Sequence, residues 1–151
     1  MDDGDTLPDV TVTLADGTPL ALTDLPLPVV IYFYPKDDTS GCTREAQDFS
    51  ALSDQFAAAS TSILGISKDD PASHVKFAKK HELSVTLASD EDGSACQAFG
   101  AWIEKSMYGR KYMGIERSTF LFGTDGTLQQ AWRKVRVAGH AEAALDAVRG
   151  L

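Results

Sequence analysis

The stretch "PVVIYFYPKDDTSGCTREAQDF", Pro28 to Phe49, decides the fold. Its opening run, Pro28 to Pro35, is apolar without a break and rich in β-formers. Such a run, closed by proline at each end, predicts a strand buried on both faces at the centre of a sheet. The polar residues that follow end the strand. From Cys42 onward, Ala46, Phe49, Leu52 and Phe56 recur at steps of three and four. That spacing predicts one apolar face of a helix of about four turns. A buried strand, a polar loop and an amphipathic helix open an α/β architecture.

The flanks extend this reading. Upstream, Val10 to Leu22 alternates around Asp16-Gly17, a dipeptide that favours a two-residue hairpin turn. Downstream, Thr61 to Ser67 reads as the next buried strand. Asp70 and Pro71 then offer an N-cap and a first helical residue for "DPASHVKFAKKHEL". "SVTLASD" reads as a short strand and "DGSACQAFG" as a short helix ending at Gly100. "RSTFLFGTDGTLQQAWRKV" predicts a hairpin turning at Thr124 to Thr127, and "HAEAALDAVRGL" a closing helix. Met107 to Gly114 reads as a loop or hairpin. The order predicts one α/β domain over residues 1–151, with a central mixed β-sheet flanked by helices and an N-terminal β-hairpin. No repeat, low-complexity tract or linker divides it.

Composition narrows the function classes. The net charge of −8 disfavours nucleic acid and anionic membranes as partners, and "RKVR" at Arg133 is too short to reverse this. No apolar run approaches the roughly 20 residues of a membrane span. The beginning, "MDDGDTLP", is acidic and polar, unlike a secretory signal, so a cytoplasmic location is expected. Two cysteines supply no disulfide framework, and in a reducing compartment a thiol is catalytic, redox-active or simply buried.

Cys42 stands where the loop meets the helix. A helix N-terminus presents unpaired N–H groups and the positive end of the macrodipole, both of which stabilise a thiolate. Gly41 lets the backbone come close to a ligand, so the amides near Gly41 and Cys42 can point at an oxygen. Thr39 adds a hydroxyl three residues before the thiol. The residues alone leave two readings open: an activated nucleophile with oxyanion-type donors beside it, or a small apolar side chain packed under a turn.

The segment "FYPKDDTSGCTREAQDF" resembles the active-site segment of peroxiredoxins, in which proline, three residues, threonine and two residues lead to the cysteine; Pro35, Thr39 and Cys42 match it. Glu45 falls at a position often acidic or amide in that family. "ILGISKD", "LASDEDGSACQAFGAW" and "YMGIERSTFLFGTDGTL" are similar to the bacterioferritin-comigratory, or Q-type, subfamily. The resemblance implies a thioredoxin-like fold, reduction of hydrogen peroxide and alkyl hydroperoxides, and no cofactor or metal. It implies Cys42 as nucleophile, Arg117 as the charged donor beside it, and Thr39 and Pro35 as further catalytic residues. Gly41 and Glu45 are implied at the substrate. Ser40 departs from the usual proline.

The resemblance also implies a thiol partner. Attack on peroxide leaves a sulfenic acid, which needs a second thiol. Two positions where relatives carry a resolving cysteine hold Gln47 and Ala78 here. Cys96, among Ala95, Ala98 and Phe99, reads as a core residue, with resolution by Cys96 as the alternative. The expected reductant is therefore thioredoxin, glutaredoxin or a small thiol, acting on a monomer or homodimer. A redox sensor using Cys42 oxidation as a signal is a further alternative. "SDEDG" lacks the spacing of a calcium loop, and His74, His81 and His140 are too dispersed for a metal set.

Overall fold

All five residues of β3 (Val29–Phe33) are fully buried, as an unbroken apolar run requires. A computed structural model describes the whole chain, residues 1–151. On one side β3 pairs in parallel with β4 (Ser62–Ser67); on the other it pairs antiparallel with β8 (Ser118–Phe122). The N-terminal hairpin, β1 (Thr11–Leu14) and β2 (Pro19–Ala21), joins the sheet through β5 (Thr86–Ser89). With β9 (Leu128–Trp132) at the far edge, the order is β2-β1-β5-β4-β3-β8-β9. This is the mixed sheet expected from the pattern. A second, two-stranded sheet is formed by β6 (Trp102–Met107) and β7 (Arg110–Ile115).

Five helices complete the chain: α1 (Ser40–Ala51), α2 (Ser53–Ala58), α3 (Pro71–Lys80), α4 (Ser94–Ala98) and α5 (His140–Arg149). Asp70 caps α3 as predicted, accepting from the Ser73 N–H at 2.8 Å. No helix is long and apolar enough to cross a membrane.

Strand alternation divides the interior into two cores. Val29, Ile31 and Phe33 face one, with Leu22, Phe99, Phe120 and the α4 residues Ala95 and Cys96. Val30, Tyr32 and Tyr34 face the other, with Cys42, Ala46 and Phe49 of α1, Phe56 of α2, Phe77 of α3 and the apolar side of α5. The sheet lies between them.

Two local readings change. The first turn holds three residues, Ala15 to Gly17, closed by Leu14 N–H to Thr18 O at 2.8 Å; Gly17 takes φ +87° there, and Asp16 binds the Thr18 N–H. This is the longer hairpin solution with glycine in the left-handed position. The helix read from Cys42 to Phe56 breaks at Leu52, whose ψ of 3° leaves the helical range. The cause is a pair of serines. Ser53 Oγ donates back to Ser50 O at 2.8 Å, and Ser50 Oγ accepts from the Ser84 and Val85 amides. Short hydroxyl side chains compete with the helical ladder in this way. Apolar spacing survives the break, so Phe56 still reaches the core that holds Phe49.

Candidate active site

Helix α1 begins directly after a polar loop, and its first backbone bond is Thr43 N–H to Thr39 O at 2.8 Å. The amides of Ser40, Gly41 and Cys42 precede that bond and receive no side-chain cap. The Thr39 hydroxyl donates instead to Lys36 O at 2.9 Å. The turn therefore offers uncapped N–H groups around Cys42, with the positive end of the helix behind them.

Cys42 is 1% exposed. Arg117, on the segment joining β7 to β8, donates from Nη2 to Cys42 Sγ at 3.2 Å and from Nη1 to Glu45 Oε1 at 2.6 Å. The guanidinium is planar and rigid, so two contacts fix both its position and its plane. Cys42 and Glu45 are three apart on α1 and share a face. A positive group with a 17% exposed side chain is thus held against the thiol. Burial disfavours the Arg117 charge, but the charges of Glu45 and Cys42 outweigh it and hold the guanidinium above its ordinary range. Burial pushes the Glu45 carboxyl up to about 7 against the pull of Arg117, and its Oε2 has no partner.

Glu45, which the resemblance implies at the substrate, lies against Arg117 and is 1% exposed, so what it touches in the structure is the guanidinium. Its spacing on α1 places it behind the arginine. Gly41 does border the site: a Cβ there would lie 3.3 Å from Arg117 Nη2. Gly41→Ala should therefore separate stability from chemistry. A helical alanine is favoured over glycine by about 1 kcal/mol. The added methyl crowds the guanidinium, so peroxide reduction should slow by about tenfold, on the scale of a small misplacement of a positioned donor. Thermal melting and single-turnover thiol oxidation, measured together, check this; an unchanged rate would show that Arg117 has room to give.

Comparison with known proteins gives the family. The AhpC/TSA family model matches residues 4–131. The chain belongs to that family. Peroxiredoxin Bcp of Xanthomonas campestris pv. campestris is 52% identical over 121 residues, which cover 80% of this chain and 76% of that protein. Structures on the alkyl peroxide reduction activity of the Xanthomonas campestris bacterioferritin comigratory protein include one that superposes with a TM-score of 0.91 at 45% identity, covering 99% of this chain and 98% of that one. Peroxidoxin BcpB of Mycobacterium tuberculosis superposes with a TM-score of 0.87 at 34% identity, covering 100% of this chain and 98% of that one. The present chain is a peroxiredoxin of the Bcp type with a thioredoxin-like fold.

In this peroxiredoxin the two thiols are far apart in environment. Cys96 is fully buried in the α4 core, and Cys42 lies in the core on the other face of the sheet. Burial, reinforced by a hydrogen bond and the charge of Asp90, pushes the Cys96 thiol up, away from ionisation. Asp90 also accepts from the Cys96 N–H at 2.8 Å and the Ala95 N–H at 3.0 Å, which pins the start of α4. Pro35 is exposed at the start of the loop, two residues beyond β3.

The sequence reading missed the support under that loop. Asp37 is nearly buried and accepts from Tyr34 Oη at 2.6 Å and Ser73 Oγ at 2.8 Å, with His74 Nδ1 at 2.7 Å. His74 Nε2 lies 3.0 Å from Ala88 O, and Asp38 meets Lys80 Nζ and His81 Nε2, each at 2.7 Å. Two of the histidines that looked dispersed therefore tie α3 to the residues just before Thr39. The available signal was Asp37, four residues after a buried strand, where an acidic side chain that becomes buried needs partners.

Proposed function

We propose that this chain is a thiol peroxidase that reduces hydrogen peroxide and alkyl hydroperoxides with Cys42 as nucleophile and an external thiol as reductant. One observation carries the reading: Arg117 Nη2 donates to Cys42 Sγ at 3.2 Å, at the uncapped start of α1. The alkyl peroxide reduction of the Xanthomonas campestris protein supports it.

The Cys42 thiolate attacks the terminal peroxide oxygen, an S–O bond forms and the O–O bond breaks. The electron pair of the broken bond leaves on the alkoxide or hydroxide, which takes a proton. Arg117 balances the thiolate charge before attack and follows the negative charge to the departing oxygen. The amides of Gly41 and Cys42, with the Thr39 hydroxyl, align the two oxygens with sulfur. Pro35 has no N–H and shields that side of the thiolate. The product is a Cys42 sulfenic acid. An external dithiol, of the thioredoxin or glutaredoxin kind or a small thiol, returns it to the thiolate, in the reducing cytoplasm.

Intact mass after one equivalent of peroxide tests the reading. Addition of one oxygen, mapped to Cys42, is the expected product. The opposite cores of the two thiols support an external rather than an internal reductant. Cys96→Ser should accordingly retain most turnover with a small dithiol. Non-reducing peptide mapping of the oxidised wild type should find Cys42 sulfenic acid or a mixed disulfide. A stoichiometric Cys42–Cys96 bridge, lost together with turnover in Cys96→Ser, would establish the two-cysteine mechanism instead.

A further inference from the structure

Of the six large apolar side chains that the chain exposes, four lie on the β6–β7 hairpin: Met107, Tyr108, Tyr112 and Met113. Tyr108 is 99% exposed at the tip, where it and Gly109 both take positive φ. The same hairpin carries Lys105, Arg110 and Lys111 against one acid, Glu104, in a chain of net charge −8. Tyrosine, methionine and arginine together are what protein interfaces favour. Strand alternation puts Met107 and Tyr112 on one face, next to Tyr108 at the tip, and Met113 on the other; exposed apolar surface gathered on one face marks a contact site.

The hairpin's position gives that surface a purpose. It is rooted by the Glu116 N–H on Ala101 O at 2.7 Å, and the next residue is Arg117. Cross-strand register puts Lys105 beside Tyr112 and Met107 beside Arg110 on one face. Lys105 is within electrostatic reach of both Arg117 and Cys42: burial and then Arg117 lower its ammonium from the ordinary range, and the Cys42 charge opposes them. The hairpin thus leads, two residues beyond its last strand, into the arginine that holds the thiol in need of an outside reductant.

We propose that the β6–β7 hairpin is the docking platform for a dithiol protein whose reactive face is acidic around an apolar centre. The proposal rests on the peroxidase reading. Met107, Tyr108 and Tyr112 cover the apolar centre of the partner and Arg110, on the same face, meets its acidic rim; Lys111 adds positive charge from the other face, where it pairs with Glu104 at 3.7 Å. Docking sets one partner thiolate against the Cys42 sulfenic sulfur. An S–S bond forms, the S–O bond breaks, and the hydroxide takes a proton and leaves as water. The partner's second thiolate then attacks its own sulfur in the mixed disulfide and releases the Cys42 thiolate. Two electrons pass from the dithiol to Cys42, and the partner leaves as a disulfide.

Two synthetic peptides provide the test. Each has a Cys-Gly-Gly-Cys core beside one tyrosine, flanked by glutamates in one and lysines in the other. The second-order rate of reducing peroxide-oxidised protein is measured at low and high salt, with dithiothreitol as uncharged control. The acidic peptide should react about tenfold faster than the basic one at low salt, the scale of local electrostatic steering, and the gap should close with salt. The overall negative charge of the chain predicts the reverse order, so the result discriminates. Arg110→Glu/Lys111→Glu, both on the exposed tip, should invert the preference and leave the dithiothreitol rate unchanged. Arg110→Ala/Lys111→Ala should abolish the preference without inverting it. A faster basic peptide in the wild type, or an unchanged preference in both variants, overturns the proposal. So does a wild-type dimer that the tip substitutions split, since the hairpin would then be occupied by a second copy. Intact mass before peptide addition separates this from the underlying reading: failure of peroxide to oxidise Cys42 removes the peroxidase assignment itself.

Discussion

Cys42→Ser is expected to reduce peroxide consumption to background while the protein stays folded. Serine keeps nearly the same shape in a site that is 1% exposed, and its hydroxyl still accepts from Arg117. What it lacks is an ionised, polarisable nucleophile at neutral pH. The other cysteine offers no substitute, because it is sealed in the opposite core and its thiol is pushed up by burial. The measurement is peroxide loss with a thiol reductant, alongside circular dichroism and thermal melting. Substantial residual turnover in a folded variant would falsify the assignment of Cys42.

Arg117→Met is expected to slow thiol oxidation by about a hundredfold or more, the scale of losing one charged donor to a transition state. Methionine keeps the length and apolar stem but leaves both Cys42 and Glu45 without their partner. The second loss matters for stability. Glu45 already binds its proton more tightly folded than unfolded, since burial lifts it from 4.5 to about 7. Removing the arginine takes away the attraction that holds it down, so the carboxyl rises further. A carboxyl raised in the folded state costs stability when it ionises. The variant's melting temperature should therefore fall as pH rises above about 5, more steeply than in the wild type. Adding Glu45→Gln removes the buried acid and should restore the melting temperature without restoring the rate. If the double variant regained speed, Arg117 would owe its effect to the fold rather than to the chemistry.

Much of this was legible in the residues, for identifiable reasons. The Pro28 to Pro35 run could only be a central strand, and it is buried throughout. Cys42 and Arg117 were found because a short motif and a second matching segment named them, although they are 75 residues apart. No periodicity links such a pair; only the β3–β8 pairing brings them together. The partner of Glu45 was hidden for the same reason. The Ser50–Ser84 contacts that break the helix at Leu52 are also long-range, so the apolar spacing ran straight through the break. The Asp37–His74 contact depends on α3 folding back over the loop, which a reading of α3 by itself does not reveal.

The sheet between Cys42 and Cys96 also has a kinetic meaning. In the proposed one-cysteine cycle, recovery from oxidation is bimolecular, because the thiol that closes the cycle comes from another molecule. The fraction of molecules ready to react is then set by a race between two concentrations, peroxide on one side and reductant on the other. When reductant runs short, sulfenic acid lingers and further peroxide carries it to the sulfinic state, which this chain cannot reverse. Each molecule behaves as a fuse whose lifetime reports the supply of reducing equivalents around it.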